Sequence, residues 1–282
     1  MKLARVGEVG KEIPVLIDKD NIARSLVGRI NDVAGSYLSP KSLDRLRGID
    51  IATLPVVKPP YRFGPCVAGS SQVICVGLNY AHHAKEAKME IPSEPILFMK
   101  SPSSLCGAND DVILPRNSTK VDWEVELGVV IGSRCSYVEE KDARAHVAGF
   151  CLANDISERA FQLEGTGQWV KGKSADTFGP IGPWMVTSDE PENIQDVDLW
   201  LKVNGEYMQA GHTSDMIFTV DFIVSYISQY MTLQPGDIIL TGTPFGVGLG
   251  LDPPRYLTEG DTMELGIEGL GVQVQTTVAW KE

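Results

Sequence analysis

The apolar and polar positions of this 282-residue chain predict many short strands and few helices. Apolar runs typical of buried strands cover residues 73–76 and 125–131, and further strands are predicted at 237–241 and 273–278. Residues 199–203 alternate and end in Asn204-Gly205, which is a strong β-hairpin signal. Helical periodicity is confined to residues 80–88 and 219–231. Because strands outnumber crossover helices, the pattern favours a strand-rich α+β fold over a wound parallel sheet.

A proline-rich stretch divides the chain into two predicted domains. Residues 54–69 contain four prolines and are typical of a linker. Before this stretch the pattern predicts a short strand at residues 15–17 and a helical turn at 42–47. We therefore predict a small N-terminal domain at residues 1–68 and a larger domain at residues 69–282.

Composition narrows the possible partners and the compartment. The chain has 25 Lys and Arg against 37 Asp and Glu, a net charge of -12, and lacks a basic cluster that could follow a phosphate backbone. An acidic ligand would therefore need a local positive group. Neither a signal peptide nor a run of ~20 apolar residues is present in the sequence. We expect a cytoplasmic protein that binds neither nucleic acid nor membrane.

The cysteines predict buried free thiols rather than disulfides or a catalytic thiol. There are five of them, none is part of a CxxC pair, and several lie in apolar, strand-like runs. This usage is typical of a reducing compartment.

The most informative segment is the acidic run at residues 121–131. Alternation along one strand would place Asp122, Glu124 and Glu126 on the same face, with neighbours ~7 Å apart. A solvated face opposite lysine or arginine is the ordinary interpretation. Here, however, the same face continues into Gly128 and Val130, so the strand is expected to enter the interior. Buried carboxylates need a cation or a shared proton, and oxygen ligands favour Mg²⁺, Mn²⁺ or Ca²⁺ over zinc.

Three further residues are candidates for the same chemistry. Asp155 follows the apolar run at 147–153 and so lies at a predicted strand end, although an Asn-Asp pair is also common in turns and helix caps. His83 and Glu86 are spaced i, i+3 on one predicted helical face, where a carboxylate can orient an imidazole that acts as a general base. A surface His–Glu pair is the common alternative.

Two glycine-containing segments are ambiguous on their own. Lys173 lies in Lys-Gly-Lys-Ser, for which a solvated loop lysine is the simplest interpretation. Residues 241–244, Thr-Gly-Thr-Pro, follow a predicted strand, and their amides and hydroxyls could bind an anion. The glycines at 246, 248 and 250 precede a Pro-Pro turn instead of a helix, which excludes a dinucleotide-binding loop.

Taken together, these segments resemble the fumarylacetoacetate hydrolase family. They run in the family's order across about residues 70–282: GLNYAHHAKEA (77–87), DWEVELGVVIG (122–132), ANDISER (153–159), KGKSADTFGPIGPW (171–184), VNGEYMQAGHTSDMIF (203–218) and PGDIILTGTPFGVG (235–248). Ala160 and His212 depart from residues that are common in the family, and both departures bear on substrate choice. The GPW and HTSDMIF segments are most similar to the branch that hydrolyses 2,4-diketo-3-deoxy sugar acids, which is related to acylpyruvases.

The resemblance implies a mixed β-sheet rolled into a barrel-like structure, usually paired as a homodimer. It implies a Mg²⁺ or Mn²⁺ ion on Glu124, Glu126 and Asp155. It also implies cleavage of the C3–C4 bond of a 2,4-dioxo acid, either an acylpyruvate or a diketo sugar acid, to pyruvate and a second acid.

The resemblance also implies roles for five other residues. By position, His83 and Glu86 match a water-activating dyad, Lys173 matches a lysine beside the reacting centre, and Thr243 and Gln162 match residues that contact the substrate. Other activities share this scaffold: oxaloacetate-type decarboxylases, isomerases and ureidoglycolate-type lyases. A non-catalytic metal-binding module is a further alternative, but it would not need the dyad and the lysine together.

Overall fold

A computed structural model describes residues 1–86, 90–190 and 192–282, and its strands form three β-sheets. The strands are β1 Lys2–Val6, β2 Ile13–Ile17, β3 Ala23–Ser25, β4 Val73–Gly77, β5 Ile96–Lys100, β6 Leu105–Gly107, β7 Val112–Leu114, β8 Val121–Asp122, β9 Val125–Ile131, β10 Val147–Asn154, β11 Ser157–Glu158, β12 Gly179–Ile181, β13 Met185–Thr187, β14 Asp198–Val203, β15 Glu206–His212, β16 Ile238–Leu240, β17 Thr262–Ile267 and β18 Gly271–Ala279. The α-helices are α1 Pro40–Arg47, α2 Ala81–Glu86, α3 Glu140–Ala143, α4 Arg159–Leu163, α5 Trp169–Lys173 and α6 Val220–Tyr230. Short 3₁₀ turns cover Gly35–Leu38, Ile51–Thr53, Pro102–Ser104, Arg144–His146, Thr213–Asp215 and Gly248–Gly250. The strand-rich α+β class predicted from the sequence is confirmed.

The largest sheet runs in the order β3-β2-β1-β13-β10-β9-β16-β4-β5, with β12 and β6 joined at its side. Most neighbours are antiparallel, while β16 pairs with β4 and β12 pairs with β6 in parallel. A five-stranded sheet, β15-β14-β17-β18-β7, and the pair β11-β8 complete the structure. None of the three sheets closes on itself within the described ranges, so the rolled, barrel-like form stays a prediction.

The central strand β9 is buried on both faces. Val125, Leu127 and Val129 pack in the core shared with the five-stranded sheet and α6, whereas Val130 packs in a second core that includes Leu3 from the N-terminal segment. This two-sided burial explains the nearly continuous apolar run in the sequence.

The N-terminal segment is joined to the rest of the chain through the main sheet. Strand β1 pairs with β2 on one side and with β13 on the other, so the predicted boundary at residue 68 falls between strands of one sheet. The predicted strand at 15–17 lies within β2, and the helical turn at 42–47 lies within α1. The division into two domains stays a prediction.

The hairpin and the two helical segments agree with the sequence pattern. Asn204 and Gly205 adopt φ values of 51° and 82°, as the turn between β14 and β15 requires. Helix α6 follows Thr219, whose hydroxyl accepts a hydrogen bond from the Phe222 amide. The predicted helix at 80–88 corresponds to α2, and residues 87 and 88 lie outside the described ranges.

The cysteines and the helix lengths bear on two further predictions. All five cysteines are buried and free, as expected. Within the described ranges, the helices are too short or too polar to cross a membrane.

Candidate metal centre and active site

Three buried carboxylates meet where β9 begins and β10 ends. Glu124 directly precedes β9, Glu126 lies within it, and Asp155 directly follows β10. One oxygen from each lies within 4.8 Å of the others. The Asp155 amide donates to the Glu124 carbonyl at 2.8 Å, so the backbone itself holds the two segments in register. The expectation that the acidic segment enters the interior is confirmed.

The expected single strand at 121–131 is wrong in one respect. Strand β8 ends at Asp122 and β9 begins at Val125, leaving Trp123 and Glu124 between the two strands. The Glu124 amide donates to the side-chain oxygen of Asn154 at 3.1 Å, outside the regular ladder. This interruption separates Asp122 from the other two carboxylates. The alternative role of Asp155 as a helix cap is not observed, since Glu158 caps α4.

Two buried lysines neutralise part of the cluster. The Lys173 ammonium donates to Glu124 Oε2 at 2.7 Å and to Asp155 Oδ2 at 2.8 Å. The Lys100 ammonium donates to Asp155 Oδ1 at 2.6 Å. Lys173 is therefore a buried ion-pair partner and not a solvated loop lysine. The sequence analysis missed Lys100, whose only signal is a lysine at the end of an apolar strand.

Arg159 is a second residue that the sequence analysis missed. Its Nε atom donates to Asp122 Oδ2 at 2.8 Å, and its Nη1 atom donates to Gln162 Oε1 at 3.0 Å. Its Nη2 atom forms an ion pair with Glu124 Oε1 at 2.7 Å. The guanidinium therefore links Asp122, Glu124 and Gln162.

Charge is not fully balanced in this cluster. Four carboxylates, those of Asp122, Glu124, Glu126 and Asp155, face the cations of Lys100, Lys173 and Arg159. Glu126 is the carboxylate without a basic partner among the described residues, and it accepts from the Gly242 amide at 2.8 Å. With all four carboxylates ionised, these groups exceed the three cations by one negative charge. A divalent cation would fit this set of hard oxygen donors.

The pKa values of the two glutamates shift in opposite directions. Burial and the nearby charges of Asp155 and Glu124 raise the pKa of Glu126 well above its usual range. Burial acts in the same direction on Glu124, but the charges of Lys173 and Arg159 outweigh it and hold the pKa of Glu124 well below its usual range. Glu124 is therefore anionic without a metal, while Glu126 retains its proton more readily.

The predicted His–Glu pair forms on α2. His83 Nδ1 lies 3.2 Å from Glu86 Oε2, and both side chains are largely buried. The Gly246 amide donates to Glu86 Oε1 at 3.0 Å. A Cβ atom at Gly250 would lie 2.3 Å from Glu86 Cδ, so the glycine-rich loop packs directly against this carboxylate. The glycines that resemble a nucleotide loop instead fix the orientation of Glu86.

One cavity of about 320 Å³ brings the predicted site residues together. Seven of the eight line it: His83, Glu86, Glu124, Glu126, Gln162, Lys173 and Thr243. Asp155 is fully buried and lies behind Lys173. The Thr243 hydroxyl donates to the Val125 carbonyl at 2.9 Å and accepts from Gln209, so its position is fixed by the protein. The cavity therefore brings together the carboxylates of Glu124 and Glu126, the His83–Glu86 pair and the Arg159 guanidinium.

Comparison with known proteins places these residues in a family. Residues 72–279 match the model of the fumarylacetoacetate (FAA) hydrolase C-terminal family. A protein of Burkholderia ambifaria that carries the provisional name of hydrolase is 54% identical over 278 residues, covering 98% of this chain and 99% of that protein.

Solved structures agree with this assignment. A fumarylacetoacetate hydrolase from Exiguobacterium antarcticum superposes with a TM-score of 0.85 and 32% identity, covering 99% of this chain and 100% of that one. A 5-carboxymethyl-2-hydroxymuconate delta-isomerase from Mycobacterium smegmatis superposes with a TM-score of 0.78 and 31% identity, covering both chains fully. The relatives thus include both hydrolases and isomerases. The protein whose cavity combines the Glu-Glu-Asp cluster with the His–Glu pair belongs to the fumarylacetoacetate hydrolase family.

Proposed function

We propose that this protein is a divalent-metal-dependent hydrolase that cleaves the C3–C4 bond of a 2,4-dioxo acid to give pyruvate and a second carboxylic acid. The observation that carries the proposal is that Glu124 and Glu126 of the acidic cluster line one cavity with the His83–Glu86 pair. A metal-binding module without catalytic activity would need only the first of these. The pairing of a cation site with a base favours an enzyme that activates water.

Glu124, Glu126 and Asp155 would hold the cation, for which Mg²⁺ and Mn²⁺ suit the oxygen donors. When bound, it would supply the positive charge that draws electrons from the 2-oxo acid. Lys100 and Lys173 hold the two oxygens of Asp155 in fixed directions, which keeps this ligand preorganised.

His83 would take a proton from water. Its Nδ1 atom faces Glu86, so in the neutral imidazole Nδ1 carries the hydrogen and Nε2 has the free lone pair. Glu86 is itself oriented by the Gly246 amide, so the imidazole is held in one tautomer. The resulting hydroxide would attack the C4 carbonyl, and the C3–C4 electron pair would pass to the pyruvate fragment as an enolate, which then takes a proton at C3.

Basic side chains beside this position stabilise the anions. The Lys173 ammonium lies between Glu124 and Asp155 and lines the cavity, where it can offset enolate charge. The Arg159 guanidinium, with Gln162 beside it and Thr243 also lining the cavity, would bind the substrate carboxylate.

An isomerase is the second candidate, favoured by the similarity to the delta-isomerase of M. smegmatis. The His83–Glu86 pair could transfer a proton between carbons of a dienol acid without adding water. Decarboxylation of an oxaloacetate-like acid would use the same cation site but would not need the pair.

A substrate panel tests the proposal. Protein stripped with EDTA and reloaded with Mg²⁺ or Mn²⁺ would be assayed with acylpyruvates, a 2,4-diketo-3-deoxy sugar acid, oxaloacetate and a hydroxymuconate-type dienol acid. We expect pyruvate to be released from a dioxo acid only with metal present. Full activity in protein shown by elemental analysis to be metal-free would contradict the metal assignment, and exclusive turnover of oxaloacetate or the dienol acid would contradict hydrolysis.

A further inference from the structure

The candidate cavity is lined by a charged group of side chains and by an apolar wall. The charged group consists of Glu124, Glu126, Lys173 and Arg159. The apolar wall consists of hydrocarbon and aromatic side chains: Leu78, Phe98, Leu163, Trp169, Val247 and Leu249. We propose that the substrate is a dioxo acid whose acyl substituent is uncharged and apolar, an alkyl or aryl group instead of a polyhydroxyl chain or a second carboxylate. This inference rests on the proposed function and names its substrate class.

The apolar wall lies directly beside Lys173. Trp169 and Lys173 are four residues apart on α5, so both project from one face of the helix into the cavity. Trp169 meets Phe98 edge to face at 5.1 Å between ring centroids, and the Lys173 ammonium lies 5.0 Å from the centre of the Phe98 ring. A group attached to the reacting carbonyl would therefore meet aromatic carbon next.

The fold leaves space for the indole by using glycine at position 77. A Cβ atom there would lie 2.9 Å from Cζ3 of Trp169, closer than real Cβ contacts allow. Gly77 is the last residue of β4, and its φ does not lie in the left-handed region, so the close approach of Trp169 explains the glycine. The indole of Trp169 thus packs directly against strand β4 of the main sheet.

The basic groups of the cavity already form ion pairs with carboxylates of the protein. Lys173 pairs with Glu124 and Asp155, and Arg159 pairs with Asp122. Over the ranges that the structure describes, the cavity wall contains no third lysine or arginine. Lys85, on α2, lines an adjoining groove with His82 and Phe245, and Glu86 lies between this groove and the cavity because it lines both. A second carboxylate of the substrate, packed against the apolar wall, would lose its hydration without gaining a basic partner. Sugar hydroxyls in the same place would lose their hydrogen bonds to water.

Binding of a homologous series of 2-oxo acids tests the inference without requiring turnover. Calorimetric titration of Mn²⁺-loaded protein would compare pyruvate with straight-chain 2-oxo acids of increasing length, and with 2-oxoglutarate as the charged member. We expect Kd to fall about fourfold for each buried methylene until the wall is covered. 2-Oxoglutarate should bind more weakly than the alkyl acid of equal length. The reverse order, or an affinity independent of chain length, would overturn the inference.

A charge introduced into the wall gives the sharper test. Leu163 lines the cavity and is 46% exposed, while Val170 is 45% exposed and does not line it. Leu163→Arg should tighten 2-oxoglutarate binding about tenfold, as expected for one charge-assisted pair, and weaken binding of the long alkyl acids. Val170→Arg should leave both unchanged. Equal effects of the two variants would mean that general surface charge is responsible and would contradict the inference.

Turnover separates this inference from the proposed function. Among acylpyruvates, those with phenyl or butyl substituents should have higher kcat/KM than those ending in a carboxylate or a diol. If acylpyruvates are cleaved but the charged or hydroxylated ones are preferred, the hydrolase proposal stands and the inference fails. If alkyl 2-oxo acids bind with the expected chain-length dependence but no dioxo acid is cleaved, the apolar wall stands and the hydrolase proposal fails.

Discussion

The Nζ atom of Lys100 lies 2.6 Å from Oδ1 of Asp155, and neither side chain has any exposed surface. Such a pair is stable only while both charges are present, because either one alone would be buried without compensation. Asp155 keeps Lys173 as a second partner at 2.8 Å. Lys100 is therefore a structural counter-ion of a candidate metal ligand.

We expect Lys100→Met to lower the free energy of unfolding of the metal-free protein by roughly 3 kcal/mol. Methionine fills most of the same volume but leaves Asp155 with one cation fewer. Denaturant unfolding in EDTA measures the change. Lys120→Met is the matched control, because Lys120 forms a 2.6 Å ion pair with Glu164 that is largely exposed, and it should cost less than ~1 kcal/mol. Equal losses in the two variants would contradict the importance of burial.

For Glu126 we expect that removing the charge stabilises the metal-free protein, in contrast to Lys100. Burial and the charges of Asp155 and Glu124 raise its pKa, so the folded protein holds its proton more tightly than the unfolded chain does. Stability contributed by this group is present at acidic pH and is lost as the pH rises from the ordinary glutamate pKa through the raised one. Glu126→Gln removes the ionisation while its side-chain oxygen can still accept from the Gly242 amide.

Metal-free Glu126→Gln should therefore be more stable than the wild type at mildly alkaline pH by at least about 1.4 kcal/mol, the free energy of a tenfold change in proton affinity. The advantage should vanish near the ordinary glutamate pKa of ~4.3. Adding Mn²⁺ should stabilise the wild type and not the variant. Thermal unfolding with EDTA or Mn²⁺ across a pH series measures both effects. Glu124→Gln, which removes a charge partner of Lys173 and Arg159, should instead destabilise the metal-free protein.

The site residues that the sequence pattern identified without the family resemblance are local, and the residues that were missed are held by distant contacts. Glu124 and Glu126 were identifiable because carboxylates interrupt a strongly apolar run, and α2 brings His83 to Glu86 through simple helical spacing. Lys100 lies 55 residues from Asp155 and has no periodic signal of its own.

The break between β8 and β9 was missed for a related reason. Alternation continues through Trp123 and Glu124, but the Glu124 amide bonds to the side chain of Asn154, 30 residues away, instead of to a neighbouring strand. The apolar wall likewise depends on Phe98 and Trp169, which only the fold brings together. The fold class followed from the apolar pattern because two-sided burial of β9 is visible in the sequence itself.

The thiols provide a check on the core. Burial raises the pKa of Cys75 well above its usual range, and for Cys66 contact with Cys151 and burial act together. A thiol that is both inaccessible and protonated does not react as a thiolate. We expect a disulfide exchange reagent to find no reactive thiol in the native protein at about pH 8, near the ordinary thiol pKa of ~8.5. All five cysteines should react after denaturation in guanidinium chloride. Rapid reaction of even one thiol in the native protein would show that its burial is wrong.

Substitution of His83 distinguishes hydrolysis from decarboxylation within the same cavity. Hydrolysis needs a base that makes water nucleophilic, whereas decarboxylation of a 2-oxo acid needs chiefly an electron sink. A general base contributes ~10²- to 10⁴-fold, so His83→Ala should reduce kcat for dioxo acid cleavage by about that factor. Any activity on oxaloacetate should fall much less, because His83 is not one of the candidate metal ligands. Lys173→Met should impair both reactions, since both form an enolate beside its ammonium group.

His82 is the internal control for this experiment. It is exposed on the same helix, and its ring lies 6.1 Å from that of Phe245, outside the candidate cavity. His82→Ala should therefore change kcat by less than about threefold, within ordinary surface effects of ±0.5 kcal/mol. Metal content and thermal unfolding of each variant show whether the fold and the cation site are intact. If His82→Ala loses activity while His83→Ala is fully active, the His83–Glu86 dyad is misassigned. If neither histidine affects hydrolysis while oxaloacetate is turned over efficiently, the protein is a decarboxylase, because only that reaction can use the acidic cluster and Lys173 without the base.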